Sequence, residues 1–202
     1  MRNQTALLSV VSLLLLAALA VSAQQKRGPS TPEERAKAVQ FAHDLESNPL
    51  GPQAKSEREW LTLWLIEVPD IAVEVCPRLL GPEIPDKKRF GTEIFSQLMY
   101  SEVAFMIENP DKAKETVEVH TAGVGGGLKT YEAILKEHPK ARSKALDEIL
   151  SRRDKGELKD HVQEAMKFCT KRVSESAPHN SWRAAVLILH ATSLPGHVFS
   201  GN

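Results

Sequence analysis

Seven histidines are the side chains of this sequence that are best suited to acid–base or metal chemistry. They are His43, His120, His138, His161, His179, His190 and His197. No two stand at the HxH or HExxH spacing that lets histidines share a metal ion. Glu118 and Asp160 lie close to His120 and His161, but neighbouring helical residues point in different directions. We therefore predict no catalytic residue, metal site or cofactor, although a site assembled from distant helices stays open, since acid–base groups need only be close in space.

Glycine is concentrated between Gly123 and Gly127, and Leu128, Lys129 and Thr130 follow. A phosphate loop has lysine directly after its last glycine and begins after a strand, so that amides and lysine converge on phosphate. Here Leu128 intervenes, and the preceding residues have a helical pattern. Because glycine inside a helix costs about 1 kcal/mol relative to alanine, the glycines predict a break between two helices. The alternative is a smooth face at which two helices approach closely.

Three carboxylates, Glu67, Asp70 and Glu74, follow an apolar stretch that contains Trp60 and Trp64. Buried carboxylates have shifted pKa values and often mark functional sites. Trp60, Trp64, Glu67 and Glu74 are therefore a candidate ligand pocket. The alternative is that the carboxylates face solvent or cap helices. No serine stands in a GxSxG elbow that would indicate a serine hydrolase.

Helix signals dominate the sequence that must position these groups. Thr31-Pro32-Glu33-Glu34 predicts a capping box with proline at the first helical position, and Ser56-Glu57-Arg58-Glu59 predicts a second one. The second helix holds Trp60 and Trp64 on one face, and its continuous apolar run predicts burial on most sides. Residues 70–76 alternate like a strand, but they have no evident partner strand, and we predict a short helix.

The 3.6-residue spacing of apolar side chains predicts a long helix that begins at about residue 86 or 92 and ends at residue 108. Further helices are predicted for residues 111–121, 128–137, 141–154 and 157–169, with Gly156 as a helix cap. The fold class is all-α, a helical-hairpin bundle or short solenoid-like array of about seven helices. Tyr131, Ile134 and Pro139 are spaced as in the second half of a tetratricopeptide hairpin, which this stretch resembles. The first-helix Trp-Leu-Gly-Tyr pattern is absent at its offset. We interpret the stretch as a helical hairpin rather than as evidence of family membership.

The amino terminus has the three parts of a secretory signal peptide. Arg2 precedes an apolar stretch from Ala6 to Ala20, and small residues follow at Val21 and Ala23. The apolar stretch is shorter than the roughly 20 residues of a membrane span. We predict a signal peptide at residues 1–23, a disordered lead at 24–30, a helical domain at 31–173, and at 174–202 a linker with a short apolar segment, residues 182–191.

Cys76 and Cys169 are the only cysteines, and an even number in an exported chain favours a disulfide. Closing a loop of roughly 90 residues would stabilise the fold by about 4–5 kcal/mol at most. Two buried thiols or an intermolecular bridge are the alternatives.

Charge is balanced in this chain, with 26 basic and 26 acidic residues. A nucleic-acid partner is not expected, because nucleic-acid binders carry a basic excess or a basic face. We expect a periplasmic or extracellular protein without stable membrane insertion. It is expected to act as a binding or scaffold module for an unknown protein or small molecule rather than as an enzyme. The alternative is an exported hydrolase or small-ligand-binding protein with a site inside the bundle.

Overall fold

The computed structural model describes residues 27–74, 76–81 and 89–176. This part of the chain contains six α-helices and no strand, which confirms the all-α fold class. The helices are α1 (Pro32–Ser47), α2 (Ala54–Glu67), α3 (Gly91–Glu108), α4 (Thr116–Glu137), α5 (Lys144–Asp154) and α6 (Leu158–Ser176). Short 3₁₀ turns are present at Pro77–Leu80 and Pro139–Ala141. The predicted signal peptide and the apolar segment 182–191 lie outside the described residues.

Helix α1 begins as its sequence predicts. Thr31 Oγ1 accepts a hydrogen bond from the Glu34 amide at 3.2 Å, and the Glu34 carboxylate accepts one from the Thr31 amide at 3.0 Å. Residues 27–30 belong to the predicted disordered lead, yet the amide and hydroxyl of Ser30 both donate to Asp70 at 2.8 Å. These two bonds, with a further one from Arg35, lower the pKa of Asp70 to about 2. This part of the lead is therefore held against the helical domain.

Helix α2 departs from its predicted start and its predicted burial. It begins at Ala54, two residues before Ser56, whose hydroxyl donates to the Gln53 carbonyl at 2.8 Å instead of capping the helix. The prediction of a second capping box is therefore wrong. The helix is also not buried on most sides, because Leu63 is 59% exposed and Ile66 is 75% exposed.

The segment after α2 is not the short helix that we predicted. Residues 71–74 have no regular secondary structure. Ile71 and Val73 pack against the hydrophobic cluster of α1, α2 and α3, whereas Ala72 and Glu74 are exposed. Burial on alternate residues satisfies the apolar pattern without a helix.

Helix α4 is continuous through the glycines, so the predicted break is wrong and residues 116–137 form one helix instead of parts of two. The alternative of a close helix approach is correct. A Cβ atom on Gly126 would lie 1.8 Å from Ser101 Oγ, and one on Gly123 would lie 2.9 Å from the Leu98 carbonyl oxygen of α3. The approach of α3 and α4 thus requires these two glycines, and packing outweighs their low helix propensity.

Two hydrophobic clusters share helix α3. One contains residues of α1, α2 and α3, and the other joins α3 and α4 to α5, α6 and the first 3₁₀ turn. A disulfide between Cys76 and Cys169, with Cα atoms 5.9 Å apart, links the segment after α2 to α6. Gly156 ends α5 with φ at +79°, as expected for a helix cap. Among the described helices, none has both the length and the apolar character of a membrane span.

Candidate functional site

The tryptophans of the predicted ligand pocket belong to the packing of α1 and α2. Trp60 and Trp64 stack with ring centroids 5.6 Å apart, and Trp64 is only 3% exposed. Glu67 has a side chain that is 61% exposed, with Arg27 at 3.8 Å, and Glu74 is also exposed. The structure gives no support to a ligand pocket at these four residues, because Trp64 is buried in the packing whereas both carboxylates are exposed.

Buried polar side chains are instead concentrated where α3 crosses α1 and α4. We call this group the polar layer, and it consists of Glu46, Gln97, Ser101, Glu102 and His120. Gln97 Nε2 donates to the Ala42 carbonyl at 2.8 Å and to Ser101 Oγ at 3.0 Å. Ser101 Oγ in turn donates to Glu46 Oε1 at 2.8 Å. These buried hydrogen bonds therefore tie α1 to α3.

Glu102 and His120 form the most deeply buried part of the polar layer. His120 Nδ1 and Glu102 Oε1 are 2.6 Å apart, and the two side chains are 3% and 0% exposed. Burial raises the pKa of Glu102, and the hydrogen bond with His120 opposes that shift only in part. Glu102 Oε2 has no hydrogen-bond partner in the described part of the chain. In the sequence His120 follows Glu118 by two residues, but the carboxylate that it contacts in the structure is that of Glu102 on α3.

A cleft of about 530 Å³ opens beside the polar layer, between the end of α1 and the second half of α4. We call it the α1/α4 cleft, and it is lined by His43, Glu46, Ser47, Lys129, Glu132, Ala133 and Lys136. The Glu46 side chain, only 9% exposed, belongs both to this cleft and to the polar layer. The base of the cleft is therefore a charged side chain that the polar layer holds in position.

Both carboxylates of the cleft are paired with cations. Lys129 Nζ donates to Glu46 Oε2 at 2.9 Å, while Ser101 occupies the other oxygen. Arg153 of α5 donates to both oxygens of Glu132, at 2.6 Å and 2.9 Å. Such two-point pairing fixes the position and orientation of a carboxylate.

His43 forms part of the opposite wall of the cleft. Its Nε2 is 3.0 Å from Glu108 Oε1 at the end of α3, and its Nδ1 is 3.5 Å from Glu46 Oε2. The hydrogen bond with Glu108 is the main cause of a raised pKa of His43. Protonation of this imidazole therefore becomes easier than in water, and it adds a positive charge to the cleft.

Two other concavities are present in the described part of the chain. A groove of about 550 Å³ lies between the first halves of α2 and α3, and nothing in the structure shows what covers it. Its lining is mostly polar and consists of Lys55, Arg58, Glu59, Thr62, Leu63, Thr92, Glu93, Ser96 and Tyr100. A smaller cavity of about 170 Å³ lies beside Arg78 and Phe168. Within the described ranges, no three His, Cys, Asp or Glu side chains are grouped closely enough to hold a metal ion.

Comparisons with family models, with curated proteins and with solved structures found no match to the chain. The candidate site therefore rests on the geometry of the cleft and the polar layer alone. Sequence reasoning missed it because its residues come from three helices. The signals that could have indicated it are the polar residues Gln97, Ser101 and Glu102 on the apolar face of α3.

Proposed function

We propose that the mature protein is an exported binding module that holds a small polar ligand in the α1/α4 cleft. The signal-peptide pattern at residues 1–23 and the Cys76–Cys169 disulfide support export, since structural disulfides persist in oxidising compartments. The observation that carries the binding function is the buried carboxylate of Glu46 at the base of a cleft with charged walls.

The polar layer beneath the cleft buries charged and polar side chains inside the bundle. Buried charges and their partners stabilise a fold less than apolar side chains of similar size do, because both groups lose their hydration. A helical bundle of this size can be packed with apolar side chains alone, as it is in the cluster around Leu128. We therefore attribute the polar layer to function: it orients Glu46 and, through it, Lys129 and His43 at the cleft surface.

The alternative of a hydrolase has weaker support. His120 has the carboxylate partner that would orient a general base. However, it is 2% exposed, and a substrate cannot reach it in this conformation. Binding is the function that the geometry favours.

The binding function can be tested with the secreted mature protein and a set of polar probes: citrate, inorganic phosphate, spermidine and glucose. Calorimetric titration should detect binding of at least one probe. The substitution Ala133→Trp should block it, because Ala133 lines the cleft. Ala36→Trp, at an exposed position of α1 outside the cleft, is the matched control and should bind normally. Absence of binding to all four probes, or equal binding by both tryptophan variants, would contradict the proposal.

A further inference from the structure

We infer that the ligand of the α1/α4 cleft is an anion with carboxylate or phosphate groups. This inference rests on the proposed binding function and adds the chemical class of the ligand. It follows from the pairing of the charges that line the cleft and from the positions of its two lysines.

Both carboxylates of the cleft are already paired with cations of the protein itself, and each of their oxygens accepts a hydrogen bond from an internal donor. Both oxygens of Glu46 are occupied, one by Ser101 at 2.8 Å and one by Lys129 at 2.9 Å. Both oxygens of Glu132 are occupied by Arg153. Because internal cations already balance both negative charges, a cationic ligand would gain less from these carboxylates than from unpaired ones.

Lys136 provides a cation that is free to bind. It is exposed, it lines the cleft, and it forms no ion pair within the part of the chain that the structure describes. Lys129 donates to Glu46, but its side chain is 61% exposed, and an ammonium group has three donors. Both lysines thus have donors available for a ligand.

The spacing of the lysines suits an extended anion or one that bridges them. Lys129, Ala133 and Lys136 follow one another along a single face of α4, and seven helical residues span about 10 Å. The methyl group of Ala133 leaves the surface between the lysines open. A ligand with two acidic groups could therefore contact both ammonium groups.

The other charges near the α1/α4 cleft do not reverse its preference for an anionic ligand. His43 adds a positive charge when it is protonated, and Arg153 stands behind Glu132. Glu108, which is 3.0 Å from His43 Nε2, is not among the side chains that line the cleft. The carboxyl-terminal end of α4 carries about half a negative charge at most. That is less than the full charge of Lys136 in the last turn, and the cleft stays suited to anions.

The test is calorimetric titration of the mature protein at low ionic strength with citrate and inorganic phosphate, and with spermidine and glucose as cationic and neutral probes. We expect citrate, phosphate or both to bind, and the relative affinities distinguish a carboxylate site from a phosphate site. Lys136→Gln should weaken binding of the anion about tenfold, because it removes a charge that has no structural partner. Lys144→Gln, at a side chain that is 92% exposed on α5, should leave the affinity unchanged.

The outcomes separate this inference from the proposed function. Binding of spermidine or glucose but of neither anion, blocked by Ala133→Trp, would overturn the anionic class and leave the binding function in place. Equal anion affinity of the Lys136 and Lys144 variants would also overturn the inference. If none of the four probes binds the wild-type protein, both proposals are wrong.

Discussion

At the scale of single residues, Glu102 and His120 place a hydrogen-bonded acid and base where neither side chain meets solvent. Desolvation disfavours the charged carboxylate and raises the pKa of Glu102 above the ordinary value of 4.5. Gly123 and Gly126, one helical turn apart on α4, leave the space that these side chains occupy. A Cβ atom on Gly123 would lie 2.5 Å from Glu102 Cγ, and one on Gly126 would lie 2.7 Å from Glu46 Oε1, which accepts the bond from Ser101. The polar layer and the glycines therefore depend on each other.

The two members of the pair should respond differently to substitution. His120→Ala leaves Glu102 buried without a partner and should destabilise the protein by about 3–5 kcal/mol. Glu102→Gln retains an acceptor for the imidazole and removes the charge, so its free energy of unfolding at pH 7 should lie within about 1 kcal/mol of wild type or above it. Urea unfolding followed by circular dichroism measures both. Equal losses in the two variants would contradict this account of the pair.

The raised pKa of Glu102 also predicts the direction of a pH effect. The native state holds this proton more tightly than the unfolded state does, so the contribution of Glu102 to stability is fully present below pH 4.5 and is lost as the pH rises through the folded pKa. The free energy of unfolding of wild type minus that of Glu102→Gln should therefore fall from about pH 4.5 upward. Taking the difference cancels the contributions to stability of other carboxylates such as Asp70, whose lowered pKa acts in the opposite direction.

His43 should make anion binding depend on pH. Its pKa is raised above 6.5, mainly by the hydrogen bond with Glu108, so the imidazolium persists to higher pH than in water. Affinity for citrate should be high below that pKa and should fall several-fold as the pH rises through it, since a partly exposed charge contributes about 1 kcal/mol. The variant His43→Gln should still bind citrate but should lose most of the change between pH 6 and pH 9, as measured by calorimetry.

At the scale of helices, α4 offers a matched pair of glycines for testing the close approach. Gly126→Ala should destabilise the protein by about 1–3 kcal/mol, because its Cβ would lie 1.8 Å from Ser101 Oγ. Gly125→Ala, with nothing within 4 Å of its Cβ, should stabilise the protein by about 0.5–1 kcal/mol. Denaturant unfolding of both variants gives the comparison. A similar effect of the two substitutions would show that α3 and α4 do not pack in this way.

Helix α2 shows why burial was harder to predict than helix type. Its apolar residues surround the helix, yet only one side packs against α1 and its neighbours, while Leu63 and Ile66 remain exposed. The spacing of Trp60 and Trp64 correctly predicted a shared face, because residues four apart on a helix are neighbours whatever packs against them.

At the scale of the whole molecule, the disulfide joins two distant parts of the chain within one hydrophobic cluster, the one that contains residues of α3, α4, α5 and α6. Cys76 is buried in this cluster just before the first 3₁₀ turn, and Cys169 packs against it from α6. The bond closes a loop of 93 residues, and the chain-entropy model assigns such a loop about 4–5 kcal/mol.

Removal of the bond should therefore lower the free energy of unfolding by about 3–5 kcal/mol. The paired variant Cys76→Ser and Cys169→Ser should match the reduced wild-type protein in urea unfolding, and adding reductant should not change it further. Mass spectrometry after alkylation under native, non-reducing conditions provides the direct check. Two alkylated thiols would show that the bond is absent from the purified protein.

The sequence by itself determined the features that depend on residues close together along the chain. The all-helical class, the cap at Thr31, the stacked face of Trp60 and Trp64 and the cap at Gly156 all follow from spacings of a few residues. The pairing of Cys76 with Cys169 could also be predicted, because the sequence contains only two cysteines.

Only the tertiary structure decided which helices meet and what lies between them. The hydrogen bonds of the polar layer and the cleft join residues that are 18, 55 and 83 positions apart. No local pattern specifies such pairs, because they form only when α1, α3 and α4 have packed. The same packing keeps α4 continuous through glycines whose intrinsic propensity predicted a break, since the close contact with α3 outweighs a cost of about 1 kcal/mol for each glycine.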